Sequence, residues 1–130
     1  MARLFGLIGN RADLAGRVLA SETDALSVGA KSGQIGWGVG FYQGGEVLMR
    51  RRPIDDRPKI DMAKGAGDVR ADLLLAHARH ATVGSLRTEN THPFRYRQWL
   101  FAQTGTLPAF EAIRERLSAS VPQFLRSSSR

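Results

Sequence analysis

The chain has 130 residues, of which 42% are hydrophobic and 24% are charged, a composition typical of one globular domain. It contains no cysteine, which excludes disulfides and thiolate metal sites, and no apolar run approaches the roughly 20 residues of a membrane-spanning helix. The net charge of +7 raises the question of nucleic-acid binding, but no nucleic-acid-binding motif accompanies the basic residues, so we expect a solvated basic surface. Because no secretory signal is recognisable, we expect a cytoplasmic protein without a membrane partner.

The first half of the chain has the pattern of a strand, a helix and a hairpin. An apolar run at residues 4–8 predicts a strand that ends at a Gly-Asn turn. Apolar residues at helical spacing predict a helix over residues 12–20, followed by a glycine-containing loop over 27–36. Two β-prone runs at 37–42 and 46–51 flank Gly44 and Gly45, which is typical of a hairpin.

The second half continues the alternation of strands and helices. We predict a short helix over residues 62–70, a buried strand over 73–78 that continues to 80, and a further strand over 98–102. Pro108 opens a predicted helix in which Phe110, Ile113 and Leu117 share one face. This pattern alone indicates an α+β or an α/β fold.

Two features of the predicted strands are candidates for binding. Gly36, Gly38 and Gly40 alternate along one strand, so one face of it is bare backbone that either a ligand or a packed element can approach. Arg79 ends a buried strand, where its charge needs a partner. That partner is either the carboxylate of a ligand, which suits the guanidinium fork, or a structural Asp or Glu.

The histidines and one turn complete the set of candidates. His77 and His80 lie three residues apart on one strand and therefore face opposite sides, which argues against a shared metal ion and favours ordinary core or loop positions for these two and for His92. Gln103, Thr104 and Gly105 follow a predicted strand, and their backbone N–H groups form either an oxyanion-binding turn or a plain turn.

Five segments together resemble the class II glutamine amidotransferases, which are N-terminal-nucleophile (Ntn) enzymes. They occur in the family's order and rough spacing across residues 1–107. The segments are Met-Ala-Arg-Leu-Phe-Gly at 1–6, Gly-Trp-Gly-Val-Gly at 36–40, His-Ala-Arg-His-Ala-Thr-Val-Gly at 77–84, Glu-Asn-Thr-His-Pro-Phe at 89–94 and Phe-Ala-Gln-Thr-Gly-Thr-Leu at 101–107.

The resemblance implies an α+β fold of the Ntn type, a four-layer α-β-β-α sandwich, and the hydrolysis of glutamine to glutamate and ammonia. It implies a substrate, L-glutamine or another γ-glutamyl compound, and no metal or organic cofactor. The residues that it assigns are the nucleophile position Ala2, the oxyanion residues Thr104 and Gly105, and the substrate-binding residues Arg79, Thr82, Trp37 and Gly38. Of these, Arg79 corresponds to the residue that binds the substrate α-carboxylate.

The sequence departs from the family pattern at two of these positions. Ala2 replaces the nucleophilic cysteine, and no other cysteine exists, so we expect no glutamine hydrolysis by the chain as written. Thr104 replaces an oxyanion-binding asparagine, and loss of such a donor typically lowers the rate about 100- to 1,000-fold. Ala2 is explained either by a deliberate Cys→Ala change or by a naturally inactive relative. The alternative functions are a catalytically dead scaffold that acts through a protein partner and a basic nucleic-acid-binding domain.

We expect residues 1–130 to form a single glutamine amidotransferase-like domain that lacks the later strands of the family's fold. A sheet without its neighbours exposes edges and apolar surface. We therefore expect either that the sequence is incomplete, or that a second chain or a second copy of this one completes the sheet.

Overall fold

The computed structural model describes residues 2–27, 35–53, 61–80 and 88–126. Two short 3-10 turns, Ala12–Leu14 and Thr88–Asn90, accompany the regular elements. In chain order, the helices and strands are β1 (Arg3–Ile8), α1 (Ala15–Ser21), α2 (Thr23–Ser27), β2 (Ile35–Gln43), β3 (Glu46–Arg52), α3 (Met62–Ala66), β4 (Leu73–His80), β5 (Phe94–Tyr96), β6 (Trp99–Phe101), α4 (Phe110–Ala119) and α5 (Gln123–Arg126).

An antiparallel sheet with the strand order β1-β4-β2-β3 forms the centre of the fold. The predicted hairpin is confirmed: Gln43 pairs with Glu46, and the turn between them consists of Gly44 and Gly45 at φ values of 60° and 81°. Both values lie in the left-handed region, which glycine adopts without strain. The apolar strand β4 occupies an interior position of the sheet, as its continuous run of buried residues predicts. The combination of helices with antiparallel strands confirms the α+β class.

One face of the sheet carries the hydrophobic core. Trp37, Val39 and Phe41 of β2 alternate toward the helices, and Leu74 and Ala76 of β4 lie opposite Phe41 and Val39 on the same face. The helices α1 and α3 pack against each other and contribute further core residues, among them Leu19 and Met62, which are both fully buried. Trp37 contacts α3 closely, because a Cβ on Gly65 would lie only 2.7 Å from its ring.

The helix α3 is shorter than the predicted range of 62–70. The carboxylate of Asp61 caps its N-terminus by accepting a hydrogen bond from the Lys64 N–H at 3.0 Å. Beyond Ala66 the chain leaves the helix, because Val69 enters the core and its carbonyl accepts a hydrogen bond from the Gly16 N–H at 3.0 Å. The prediction therefore had the right start and the wrong end.

The opposite face of the sheet carries the glycines of β2. A Cβ on Gly38 would overlap the carbonyl oxygen of His92, and one on Gly40 would lie 2.8 Å from a methyl group of Leu100. The bare backbone of β2 therefore accommodates the segment around His92 and the β5–β6 hairpin. Neither a helix nor an open ligand site lies against these two glycines among the described residues. The strand predicted at 98–102 exists as β6, but its partner β5 carried no clear signal in the sequence.

The described residues leave a large part of this second face exposed. Leu4 is 47% exposed and Ile8 is 84% exposed, and an apolar cleft runs beside them between Gly6, Leu75 and Leu100. The helix α4 contains the predicted apolar residues, but it begins at Phe110 rather than at Pro108, because Ala109 has a left-handed φ of 53°, and none of its residues is buried. Among the described residues, no helix combines the length and the apolar character needed to cross a membrane.

Candidate functional site

A half-open cavity of about 820 Å³ lies at the end of the sheet where β1 begins and β4 ends. The antiparallel register pairs Arg3 with Ala78, so residue 2 lies at the same end of the sheet as Arg79. The segments at 90–92 and 103–106 close the other sides of the cavity. Its lining residues are Ala2, Arg3, His77, Arg79, His80, Asn90, His92, Gln103, Thr104, Gly105 and Thr106.

The structure brings together four of the seven predicted site residues. Ala2, Arg79, Thr104 and Gly105 come from four separate parts of the sequence and all line this cavity. The pairing of β1 with β4 brings Ala2 and Arg79 together, and the segment that follows β6 brings Thr104 and Gly105 to the same cavity.

The other three predicted residues are not part of the described lining. Trp37 is only 8% exposed and packs on the helix side of the sheet, and Gly38 lies against His92 and Pro93. Thr82 falls within residues 81–87, outside the described residues.

His77 connects the central strand to the turn at 103–105. Its side chain is 1% exposed, and its Nε2 lies 3.0 Å from the carbonyl oxygen of Gln103, so that Nε2 carries the proton and donates it. The ring of His92 lies 4.5 Å from that of His77 in a tilted arrangement. Sequence reasoning placed both histidines in ordinary core or loop positions; their part in the cavity wall depends on a contact between residues 26 positions apart.

The turn after β6 presents its backbone to the cavity. Gly105 has a φ of 111°, in the region that favours glycine, and a Cβ at this position would have nothing within 4 Å. Thr104 and Gly105 are exposed and line the cavity, while the Gln103 carbonyl is held by His77. The hydrogen bond from His77 therefore fixes the turn at Gln103, whereas Thr104 and Gly105 are exposed to solvent.

The charged groups of the described lining are all cationic. Arg3 and Arg79 carry guanidinium groups, and no Asp or Glu belongs to the described lining. Arg79 also donates to the Asn90 carbonyl at 3.4 Å. Burial, followed by the neighbouring His92, lowers the pKa of His77 to about 4, and burial together with the charge of Arg79 lowers the pKa of His92. Both imidazoles are therefore uncharged at neutral pH, and the cavity attracts anions through its arginines.

The described residues hold no group of three or more His, Cys, Asp or Glu arranged to bind a metal ion. The described lining offers guanidinium groups, imidazoles, side-chain amides, backbone N–H groups and the hydroxyls of Thr104 and Thr106. Such a set can bind a carboxylate at one end and stabilise a polarised carbonyl at another.

Comparison with known proteins points to one family. The sequence profile of the class II glutamine amidotransferases matches residues 1–122. YafJ of Escherichia coli K12, whose name includes glutamine amidotransferase, is 30% identical over 117 residues, which cover 82% of this chain and 45% of YafJ. The γ-glutamyl-hercynylcysteine sulfoxide hydrolase of Mycobacterium tuberculosis is 34% identical over 73 residues, or 55% of this chain and 31% of that protein.

These matches agree with the position of the cavity. The profile covers every described residue that lines it, and the chain spans less than half the length of the two relatives. The chain belongs to the class II glutamine amidotransferase family.

Proposed function

We propose that this chain binds L-glutamine or another γ-glutamyl amide in the cavity beside Ala2. The convergence of Ala2, Arg79 and Gly105 on one cavity is the observation that carries the proposal. In the proposed complex, Arg79 pairs with the α-carboxylate, and the Gly105 N–H approaches the oxygen of the γ-amide. Thr82 supports the bound amino acid. Trp37 and Gly38 position the strand β2 near the site: Trp37 packs against α3, and Gly38 lies against the His92 segment.

The reaction that this arrangement serves needs a nucleophile at position 2. A cysteine there, freed at its α-amino group by removal of Met1, can pass its thiol proton to that amine, whose unperturbed pKa is about 7.7–8.0. The thiolate attacks the γ-carbonyl carbon, the C–N bond breaks, and the nitrogen leaves with a proton as ammonia. Water then hydrolyses the thioester to glutamate. The methyl group of Ala2 can do none of this, so the proposed activity of the present chain is binding.

The oxyanion turn also differs from the family pattern. With Thr104 in place of asparagine, the described turn offers the Gly105 N–H and a threonine hydroxyl. Loss of one oxyanion donor typically costs about 100- to 1,000-fold in rate. We therefore propose that a cysteine at position 2 gives slow hydrolysis.

Restoring the nucleophile tests the proposal. We expect the Ala2→Cys protein to release glutamate and ammonia from L-glutamine, measured by coupled glutamate detection, while Ala2→Ser, which matches it in size, releases far less. In the Ala2→Cys background, Arg79→Gln should raise KM by about tenfold or more, because a charge-assisted contact to the α-carboxylate is lost. A folded Ala2→Cys protein that neither hydrolyses nor binds glutamine would refute the proposal.

A second candidate function is that of a catalytically silent scaffold. The combination of Ala2 with Thr104 favours it, and so does the uncovered face that contains Leu4 and Ile8. In this proposal a second sheet covers that face and completes the α-β-β-α sandwich of the family, and a second chain or a second copy supplies it. Glutamine affinity separates the two functions: a scaffold would show none in calorimetric titration, whereas we expect binding that Arg79→Ala abolishes.

The name of the mycobacterial relative supports a broad substrate class. It describes a hydrolase of a γ-glutamyl compound larger than glutamine. We therefore include γ-glutamyl amides with larger amine portions among the proposed ligands.

A further inference from the structure

The turn at residues 103–105 is attached to the sheet through the side chain of His77. The Nε2 of this histidine donates to the carbonyl oxygen of Gln103 at 3.0 Å. Among the described residues, the turn makes no other hydrogen bond, and all three of its residues are exposed. Burial therefore does little to fix the turn, and its position depends on the hydrogen bond from His77.

His77 itself is firmly anchored. Its backbone lies in the interior strand β4, opposite Leu4 of β1 on one side and Gly38 of β2 on the other, and its side chain is 1% exposed. The ring of His92 packs against the imidazole, with 4.5 Å between the ring centroids. A donor that is held by a sheet and by packing has little freedom, so it places its acceptor more precisely than a loop residue could.

An imidazole is energetically costly at this position. The Nδ1 of His77 is buried and has no hydrogen-bond partner among the described residues, whereas an apolar side chain would bury no polar atom there. The hydrogen bond that the ring does make goes to an exposed turn, which contributes little to the core. This combination favours a role in the geometry of the cavity over a role in packing.

The position of the Gln103 carbonyl restricts the direction of the N–H groups that follow it. This carbonyl and the Thr104 N–H belong to one planar trans peptide group and point in opposite directions. Only the two backbone dihedrals of Thr104 separate this group from the peptide that carries the Gly105 N–H. A displacement of about 1 Å at a reacting centre can lower a rate about 100-fold, so the attachment of the turn has a direct effect on an oxyanion donor.

We propose that His77 is a positioning residue for the reaction: by donating from Nε2 to the Gln103 carbonyl, it orients the Gly105 N–H toward the oxygen of the γ-amide. This inference rests on the proposed function. The oxyanion forms only during the reaction, whereas the proposed contact of Arg79 with the α-carboxylate exists throughout. Loss of the donor should therefore lower kcat and leave KM nearly unchanged.

Nuclear magnetic resonance of the present chain tests the positioning. The ring 15N signals of His77 should show the proton on Nε2. The 15N order parameters of the Thr104 and Gly105 amides should fall below about 0.6 in His77→Leu, which has no donor, and be retained in His77→Gln, whose amide can donate. Leu74→Val is the matched control, because Leu74 is buried in the same strand on the helix side; it should leave both amides unchanged.

Kinetics in the Ala2→Cys background test the consequence for the reaction. His77→Leu should lower kcat by about tenfold or more and change KM by less than about threefold, whereas His77→Gln should retain most of kcat. If the ring served packing alone, the apolar His77→Leu would be the better substitute. His77→Asn, whose shorter amide does not reach the Gln103 carbonyl, should behave like His77→Leu and provides a polar variant without the donor. Urea unfolding establishes that each variant is folded.

The outcomes separate this inference from the proposed function. Order parameters or kcat values that stay unchanged in His77→Leu and His77→Asn, or that change equally in Leu74→Val, would overturn the inference and leave the proposed function standing. A ring proton on Nδ1 would have the same meaning. A folded Ala2→Cys protein that neither hydrolyses nor binds glutamine would overturn the proposed function and this inference with it.

Discussion

In the proposed function, the methyl group of Ala2 is what separates binding from hydrolysis. Ala2 lines the same cavity as Arg79, Thr104 and Gly105, and we propose that it occupies the position of the nucleophile. The imidazoles of His77, His80 and His92 also line this cavity. Of these, His77 is the most enclosed, and its contact with the Gln103 carbonyl connects the stability of the fold to the geometry of the turn.

Burial of neutral His77 makes the stability of the protein depend on pH. The folded-state pKa is about 4, below the ordinary value of 6.5, so between these values the unfolded chain binds a proton that the folded chain does not. The free energy of unfolding should therefore fall as the pH is lowered from about 6.5 to 4, by at most about 3 kcal/mol for this group. Urea unfolding at a series of pH values measures the effect.

The variant His77→Gln provides the control for this prediction. A glutamine amide can still donate to the Gln103 carbonyl but does not titrate, so the pH dependence in this window should become shallower even where the variant is less stable overall. His92, whose pKa is also lowered, contributes to the remaining slope with the same sign, and so do Asp13 and Asp68, whose carboxyl pKa values are lowered by their arginine partners. An unchanged slope in His77→Gln would contradict the assignment.

At the scale of elements, the close approach of the His92 segment to β2 depends on Gly38. A Cβ there would meet the carbonyl oxygen of His92, its carbonyl carbon at 2.9 Å and the Pro93 Cδ at 3.1 Å, none of which can rotate away. Gly38→Ala should lower the free energy of unfolding by about 2 kcal/mol or more and weaken glutamine binding, because the His92 segment lines the cavity. Denaturant unfolding and calorimetry measure the two effects.

Gly6→Ala is the matched control, since Gly6 also lies in a strand but has no atom closer than 4.0 Å to an added Cβ. It should change the free energy of unfolding by no more than about 0.5 kcal/mol. Equal stability of the two variants would show that the His92 segment does not lie against β2 as described.

Local patterns predicted most of the elements and missed those that depend on distant contacts. The alternation of β2, the Gly44-Gly45 turn and the apolar run of β4 each specify a strand or a turn locally. The end of α3 depends on Val69 entering the core beside α1, and β5 is three residues long and exposed, so neither has a local signal. For the site, the resemblance supplied Ala2, Arg79, Thr104 and Gly105, but the contact of His77 with Gln103 appears only once the chain is folded.

At the scale of the whole molecule, the described residues cover the sheet on its helix side and leave the other side largely open. The open side carries Leu4 and Ile8 and the apolar cleft next to Leu75. Large exposed side chains continue along the second half of the chain: Phe94, Tyr96, Trp99, Phe101, Leu107, Phe110, Leu117, Val121 and Phe124. Extensive exposed apolar surface is typical of an interaction site.

Other copies of the purified chain can cover this surface, so we expect it to self-associate in a concentration-dependent way. Ile8→Lys should weaken the association by at least about tenfold, because a charge is then buried against an apolar partner. Analytical ultracentrifugation over a range of concentrations measures the dissociation constant. Ala63→Lys places the same charge on the exposed side of α3, beyond the helix layer, and should leave the dissociation constant unchanged. A protein that stays monomeric at the highest concentrations, or one whose association responds equally to both substitutions, would show that copies of this chain do not cover the open sheet face.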